Sequence, residues 1–216
     1  MTRIKICGIT RPEDGVAASR AGADAVGLVF AESSRRVTVA RAREIVSALP
    51  PYVSSVGVFA NSQAATIYRV VNEVGLSEVQ LHGDESPDFV GRLAGLRVTK
   101  ALRVRDRTFL EAMRNYSTAG VCAILLDAYS PEARGGTGKR FDWDLLIGAQ
   151  RAGAIASHVP LVLAGCLTPM NVRSAVKRVR PWAVDVSGGV ELEPGVKCPE
   201  KIAEFISMVR SADRGE

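Results

Sequence analysis

Two side chains that could exchange protons stand where apolar runs of the sequence end. Cys7 closes the run 3–7 and is followed by Gly8, where the chain can turn, and Asp127 closes the run 121–127. Taken singly, a cysteine is usually a small buried apolar residue, and a strand-end aspartate is often a turn or helix-cap residue. Taken together, a thiolate and a protonated carboxyl are the base and the acid of a proton-transfer reaction.

The elements that must position these residues form a repeating pattern of an apolar run followed by a helix-like segment. Runs without polar alternation are typical of parallel strands that are buried on both faces. Eight such units in 216 residues predict a single-domain α/β fold, a (β/α)8 barrel over 1–216, and an open doubly wound sheet is the alternative. The eight predicted strands are 3–7, 24–30, 53–59, 78–82, 97–102, 121–127, 159–164 and 183–187.

Helix start signals follow several of these strands. An N-cap residue shortly before a proline or a polar first turn predicts a helix N-terminus. Such signals occur at Thr10 before Pro12, at Asn61-Ser62, at Ser86-Pro87 and at Thr168-Pro169. The predicted helices therefore begin just beyond the strand ends, where barrel enzymes carry their active sites.

The composition limits the classes of partner. The net charge of +5 comes from basic residues that are scattered along the chain, so no nucleic-acid partner is expected. The sequence has no secretory signal and no apolar run that could span a bilayer, which predicts a cytoplasmic protein without membrane contact. Its four cysteines lack CxxC spacing, so neither a zinc site nor a disulfide pair is predicted. A monomer or weak homodimer is the expected assembly.

Several polar residues share the inner face of the predicted barrel. Lys5 lies two residues before Cys7, roughly 6–7 Å away, and an ammonium at that distance favours the thiolate. Asp185 lies on the eighth strand, beside the first, where it could meet Lys5 or a substrate hydroxyl, and pairing with Lys5 would weaken that effect. On the fourth strand Gln80 and His82 also point inward, either towards a substrate or as structural residues. An apolar mouth would favour the protonated form of Asp127.

Two glycine turns are candidates for phosphate binding. The first contains Gly165 and Cys166 after the seventh strand, and the second contains Ser187, Gly188 and Gly189 after the eighth. Glycine lets backbone N–H groups approach an anion, and barrels often bind phosphate after these two strands. Tight turns without a ligand are the alternative.

Two further segments are candidates with a strong alternative. Arg36 follows the second strand and could bind a carboxylate through its two-pronged guanidinium, although most loop arginines are simply solvated. The segment 131–138, PEARGGTG, is long for a loop after a strand and has three glycines, so it could cover a bound substrate or be an ordinary surface loop.

In combination and order, these motifs resemble one family, the phosphoribosylanthranilate isomerases of tryptophan biosynthesis. The resemblance covers essentially the whole chain. Its motifs are KICGIT at 5–10, DAVGLVF at 24–30, VGVF at 56–59, VQLHG at 79–83, LLDA at 125–128, GGTGKRFDW at 135–143, LAGCL at 163–167 and AVDVSGGVE at 183–191.

The resemblance implies a barrel enzyme without a cofactor or metal, acting on a small phosphorylated substrate. It implies that Cys7 is the general base and Asp127 the general acid of an Amadori rearrangement, and that Arg36 holds the anthranilate carboxylate. The remaining implied roles are cleft lining, for His82 and Asp185, and phosphate binding, for Gly165, Cys166, Ser187, Gly188 and Gly189.

Two positions depart from the family pattern. Cys166 replaces the second glycine after the seventh strand, and backbone N–H donation there is expected to survive if its φ stays below zero. Cys198 replaces an aspartate near the C-terminus, which predicts a weaker helix N-cap and a stability loss of about 1 kcal/mol.

Two alternatives remain at this stage. A related histidine-pathway or dual-substrate isomerase resembles this chain in fold, but it has an aspartate where Cys7 stands. A non-catalytic barrel that binds phosphorylated ligands would have no use for both Cys7 and Asp127 at the strand mouths.

Overall fold

The computed structural model describes residues 1–128, 143–155 and 158–216, and the loop predicted at 131–138 lies outside them. The eight predicted strands are present and pair in parallel, in sequence order, with the eighth closing onto the first. The predicted (β/α)8 barrel is therefore confirmed. The strands are β1 Arg3–Cys7, β2 Ala25–Val29, β3 Ser54–Phe59, β4 Glu78–Leu81, β5 Val98–Val104, β6 Ala123–Ala128, β7 Leu161–Leu163 and β8 Ala183–Val186.

Helices follow all eight strands and pack around the barrel. They are α1 Pro12–Ala21, α2 Val39–Ala48, α3 Ala64–Val74, α4 Pro87–Gly91, α5 Phe109–Thr118, α6 Trp143–Arg151, α7 Pro169–Val179 and α8 Pro199–Arg214. Among the described residues, none of these helices is long and apolar enough to cross a membrane.

The predicted helix starts are confirmed at Ser86 and Thr168 and are wrong by one or two residues at Thr10 and Asn61. The Thr10 hydroxyl donates to the Gly195 carbonyl, 2.5 Å away, instead of capping α1. The Asn61 side chain accepts from the backbone N–H of Asp84 at 2.8 Å and so joins two loops. Both polar side chains form hydrogen bonds between loops that are far apart in sequence. The local spacing of residues does not reveal such contacts.

The strands bury both faces, as their apolar composition predicts. Their outer faces and the helices share one large apolar core. The barrel interior holds a smaller cluster of mostly small side chains, namely Ala101, Ala123, Leu125, Val162, Ala164 and Ala183. The parallel register places Lys5 beside Asp185 and Cys7 beside Gly27. Residues from opposite ends of the chain thus meet in the barrel interior.

An additional small hairpin follows β8 and was not predicted. A single 3₁₀ turn, Gly188–Val190, leads into the antiparallel strands β9 Glu191–Glu193 and β10 Val196–Lys197. The turn between the strands contains Gly195 in the left-handed region, φ 87°. This hairpin brings Lys197, which is 1% exposed, against the loop after β8.

Candidate active site

Cys7 lies in a pocket of the barrel wall that glycine keeps open. A Cβ atom added to Gly27, its neighbour on β2, would lie 2.6 Å from the Cys7 sulfur and 3.2 Å from Cε of Lys5. Atoms do not approach that closely without contact strain, so Gly27 provides the space that both side chains occupy. Gly8 has φ 75°, which confirms the sharp turn predicted directly after Cys7.

The charge of Lys5 is directed to Asp185. The ammonium donates to Asp185 Oδ1 at 2.8 Å, and both side chains are about 10% exposed. Burial, the largest single effect, works to lower the pKa of Lys5, but Asp185 and, to a smaller extent, Cys7 together outweigh it and raise that pKa above its ordinary value. Lys5 is therefore a firmly protonated member of a buried ion pair.

This pairing corrects the predicted effect of Lys5 on the thiol. Burial raises the pKa of Cys7 above its ordinary value, and the charge of Lys5 lowers it only in part, because Asp185 acts in the opposite direction. Lys197 also lowers it, by a smaller amount. These effects together favour the neutral thiol of Cys7 over the thiolate that the sequence had indicated.

Asp127, near the end of β6, lies beside His82, which directly follows β4 and contacts Gln80 of that strand. His82 Nε2 lies 3.3 Å from Asp127 Oδ2, and both side chains are partly exposed at the barrel mouth. On the buried side of His82, the Gln80 amide nitrogen lies 3.2 Å from Nδ1. Gln80 of β4 and His82, which directly follows β4, are therefore joined to the candidate acid. The sequence alone had not shown that these three residues lie together.

A second charged network lies beside the loop after β8. Arg35 donates two hydrogen bonds to the Glu191 carboxylate, at 2.8 and 2.7 Å, and Lys197 donates to the same carboxylate at 2.7 Å. Lys197 also donates to the carbonyl oxygen of Ser187 at 3.2 Å. Burial, the largest effect on Glu191, would raise its pKa, but the bonds from Arg35 and Lys197 together lower it.

Sequence reasoning missed this network, although weak signals existed. Two cations share one carboxylate, so the network carries one net positive charge next to the glycine turn after β8. The side chain of Arg35 reaches that turn: Nη2 lies 3.5 Å from where a Cβ of Gly188 would be. The dipeptide Pro194-Gly195 between short polar runs was the signal for the hairpin that carries Lys197.

The two candidate phosphate turns contact each other. A Cβ added to Gly189 would lie only 2.0 Å from the carbonyl oxygen of Leu167, so the glycine is required for the two backbones to approach. Asn171 stabilises the turn after β7: its amide donates to the Cys166 carbonyl at 2.9 Å, and its oxygen accepts from the Thr168 N–H at 2.9 Å. The two turns that carry the five predicted phosphate-binding residues therefore lie side by side.

Cys166 does not meet the backbone condition stated for it. Its φ is 56°, in the left-handed region, directly after Gly165 with φ 80°. A residue with a Cβ adopts this conformation at a cost of roughly 1–2 kcal/mol. The turn thus has a strained residue at its second position.

Within the part of the chain that the structure describes, Arg36 has no hydrogen bond or ion pair through its side chain. Its backbone bridges Val29, the last residue of β2, and its side chain is exposed. The neighbouring Arg35, which the sequence did not single out, forms the ion pair instead. No group of three or more potential metal ligands occurs in the described ranges.

A barrel whose ionisable side chains gather at the carboxyl ends of several strands, opposite two touching glycine turns, is typical of a (β/α)8-barrel enzyme that binds an anionic substrate. The family model of N-(5'-phosphoribosyl)anthranilate isomerase matches residues 4–208 of this chain. The chain belongs to that family, as its motifs had indicated.

Individual relatives agree with this assignment. An N-(5'-phosphoribosyl)anthranilate isomerase from Geobacter sulfurreducens is 50% identical over 95% of this chain and 97% of its own length. The crystal structure of the Thermotoga maritima enzyme is 43% identical, has a TM-score of 0.89, and covers 98% of this chain and all of its own. A phosphoribosylanthranilate isomerase in complex with reduced 1-(o-carboxyphenylamino)-1-deoxyribulose 5-phosphate is 40% identical, has a TM-score of 0.85 and covers 98% and 100% of the two chains.

Proposed function

We propose that this isomerase of tryptophan biosynthesis converts N-(5-phosphoribosyl)anthranilate into 1-(o-carboxyphenylamino)-1-deoxyribulose 5-phosphate, with Cys7 as general base and Asp127 as general acid. The observation that carries the proposal is the placement of these two groups on β1 and β6 of one barrel mouth, with glycine turns after β7 and β8. We further propose that the enzyme works in the cytoplasm on this small phosphorylated substrate.

The first step is opening of the furanose ring. Asp127, in its protonated form, transfers a proton to the ring oxygen while the anthranilate nitrogen lone pair forms a C1–N double bond. The C1–O bond breaks, and the oxygen leaves as the C4 hydroxyl. The product of this step is a Schiff base with a positive charge on nitrogen, and Asp127 is left as a carboxylate.

The second step is removal of the C2 proton. The Cys7 thiolate accepts it, and the electrons of the C–H bond form a C1–C2 double bond as the iminium nitrogen becomes neutral. The enolamine then tautomerises to the ketone. Burial disfavours the thiolate of Cys7, and the positive charge of the Schiff base in the same cleft favours it, so the fraction of Cys7 present as thiolate is highest when the intermediate is bound.

Anchoring of the substrate's two anionic ends supports the geometry of both steps. The phosphate would lie on the surface formed by Gly165, Cys166, Ser187, Gly188 and Gly189, next to the net positive charge of the network around Glu191. The anthranilate carboxylate would meet the exposed guanidinium of Arg36, and His82 and Asp185 would line the cleft between them. Holding both ends fixes C2 near the base and the ring oxygen near the acid.

The test is to follow the loss of substrate fluorescence with the purified protein and with Cys7→Ala and Asp127→Ala. Each variant is expected to lose about 10²–10⁴-fold in kcat, the usual contribution of a general acid or base. Cys122→Ala is the matched control. Cys122 directly precedes β6, at the end of the strand away from Asp127, and its thiol donates to the Val98 carbonyl. This variant is expected to leave kcat unchanged. Wild-type turnover in either site variant would refute the assigned roles, and an inactive parent would refute the reaction.

A further inference from the structure

A chain of three polar side chains runs from the barrel interior to the mouth. Gln80, only 1% exposed, lies at its inner end, with its amide nitrogen 3.2 Å from Nδ1 of His82. The other ring nitrogen, Nε2, lies 3.3 Å from Oδ2 of Asp127. The ring of His82 therefore stands between a buried amide and the carboxyl group at the mouth.

We propose that Gln80 is a positioning residue that keeps the single ring proton of His82 on Nε2, facing Asp127. An amide NH₂ group can only donate, so Nδ1 must be the accepting nitrogen, and the proton of a neutral imidazole then lies on Nε2. This role rests on the proposed function of Asp127 as general acid.

The same contact also acts against a charged ring. An imidazolium carries a proton on both nitrogens, and its Nδ1–H would face the amide N–H of Gln80, donor against donor. An imidazolium beside Asp127 would stabilise the carboxylate form, which has no proton to donate. With Nδ1 accepting from Gln80, the neutral ring presents Nε2–H to Asp127, which orients the carboxyl group and stabilises its carboxylate form less than an imidazolium would.

Among the described residues, the charged side chains near His82 are paired with opposite charges or exposed to solvent. Lys100 on β5 pairs with Glu85 at 2.7 Å, and its ammonium also donates to the Gly83 carbonyl at 2.6 Å, which holds the loop directly after His82. On the side of β3, the residue in register with Gln80 is the apolar Val58. Arg103, in register with Asp127, is exposed to solvent.

The pair formed by Lys5 and Asp185 is likewise internally compensated, across the barrel on β1 and β8. Gln80 is therefore the group that contacts Nδ1 directly and selects the ring tautomer. Gln80→Met removes this hydrogen bond without changing any formal charge, which allows the role to be tested by substitution.

The chain has only two histidines, His82 and His158, so ¹⁵N-histidine NMR resolves each ring. His158→Asn assigns the signals. In the wild type at neutral pH we expect His82 as the neutral Nε2–H tautomer. In Gln80→Glu the carboxylate accepts from Nδ1–H instead, so the spectrum should change to the Nδ1–H tautomer or to a ring that stays doubly protonated to higher pH. Gln80→Met should give a mixture of tautomers.

Activity is measured on the same samples. Gln80→Glu is expected to lower kcat about tenfold or more, within the range of a general acid's contribution, with KM changed less than about twofold. Gln80→Met should lower kcat less. A wild-type His82 in the Nδ1–H form, or wild-type kcat in both variants, would overturn the proposal.

A wild-type ring in the Nδ1–H form refutes the proposal even if Gln80→Glu fails to fold, because that result requires no variant at position 80, and the Gln80→Met spectrum then tests whether Gln80 is the cause of an Nε2–H ring. Full activity in Asp127→Ala would instead refute the proposed acid while leaving the tautomer result intact. The two failures are thus distinguishable.

Discussion

Replacing Asp185 with Asn should make the Cys7 thiol more acidic. The Lys5 ammonium is bound to the Asp185 carboxylate at 2.8 Å, so the two charges act on Cys7 in opposite directions. Asn keeps a hydrogen-bonding oxygen for Lys5 but removes the negative charge. The thiolate would then face an uncompensated cation.

The size of the effect follows from the strand geometry. Residues two apart on a strand are roughly 6.5 Å apart, and one unit charge at that distance is worth about 2.5 kcal/mol at an effective dielectric constant of about 20. That energy corresponds to a pKa change of about two units. Lys5→Met should therefore raise the pKa of Cys7 by up to about two units, and Asp185→Asn should lower it by a smaller amount, because Asp185 lies on the neighbouring strand and has the smaller effect on Cys7.

The assay is the rate of Cys7 alkylation by iodoacetamide as a function of pH, followed by mass spectrometry of the peptide that contains Cys7. Because only the thiolate reacts, the rate reports the fraction deprotonated. In the wild type the rate should still climb above pH 9.0, the ordinary thiol value, since burial raises the pKa of Cys7. The Asp185→Asn curve should reach its plateau at lower pH.

The double variant Lys5→Met/Asp185→Asn is the control for the buried charge. Breaking a buried ion pair from one side costs about 3–5 kcal/mol, whereas removing both partners avoids an unpaired charge. The double variant should recover stability and show a slightly higher thiol pKa than the wild type, because Lys5 has the larger of the two opposing effects on Cys7. Shifts of the same sign in both single variants would refute the reasoning.

Three further substitutions test packing and backbone conformation. Gly27→Ala should displace the Cys7 sulfur and lower kcat, and it should cost about 1–3 kcal/mol in stability. Gly57→Ala is the control, because its Cβ would lie 2.5 Å from Leu76. It should cost similar stability and leave kcat unchanged. Cys166→Gly should lower KM by removing a side chain from the phosphate surface, and an unchanged KM would reject that effect. Cys198→Ser should raise the unfolding free energy by about 1 kcal/mol by capping α8, as a thermal melt would show, whereas Cys198→Ala should not.

The barrel could be predicted because its strands are buried on both faces, which leaves an uninterrupted apolar run wherever a strand lies. Every predicted run overlaps its observed strand, and the ends differ by two residues at most. Parity along each strand then placed Lys5, Gln80, His82 and Asp185 in the barrel interior. These features depend on local sequence alone.

The electrostatics of the site could not be predicted in the same way. The pKa of Cys7 is a balance of burial against Lys5, Asp185 and Lys197, which come from three separate parts of the chain. The sequence identified the competition between Lys5 and Asp185, but its outcome depends on a distance between β1 and β8. Similarly, Arg35 and Arg36 are adjacent in sequence, and only the position of Glu191 distinguishes the paired residue from the exposed one.

Three buried lysine–carboxylate pairs lie next to the residues proposed to act on the substrate. Lys5–Asp185 lies below Cys7, Lys100–Glu85 holds the loop after His82, and Lys197–Glu191 holds Ser187 beside the glycine turn. Because apolar residues of similar volume usually stabilise a core as well as a buried ion pair or better, stability alone does not explain such pairs. Each one instead fixes a backbone segment or a local charge beside a residue proposed to face the substrate.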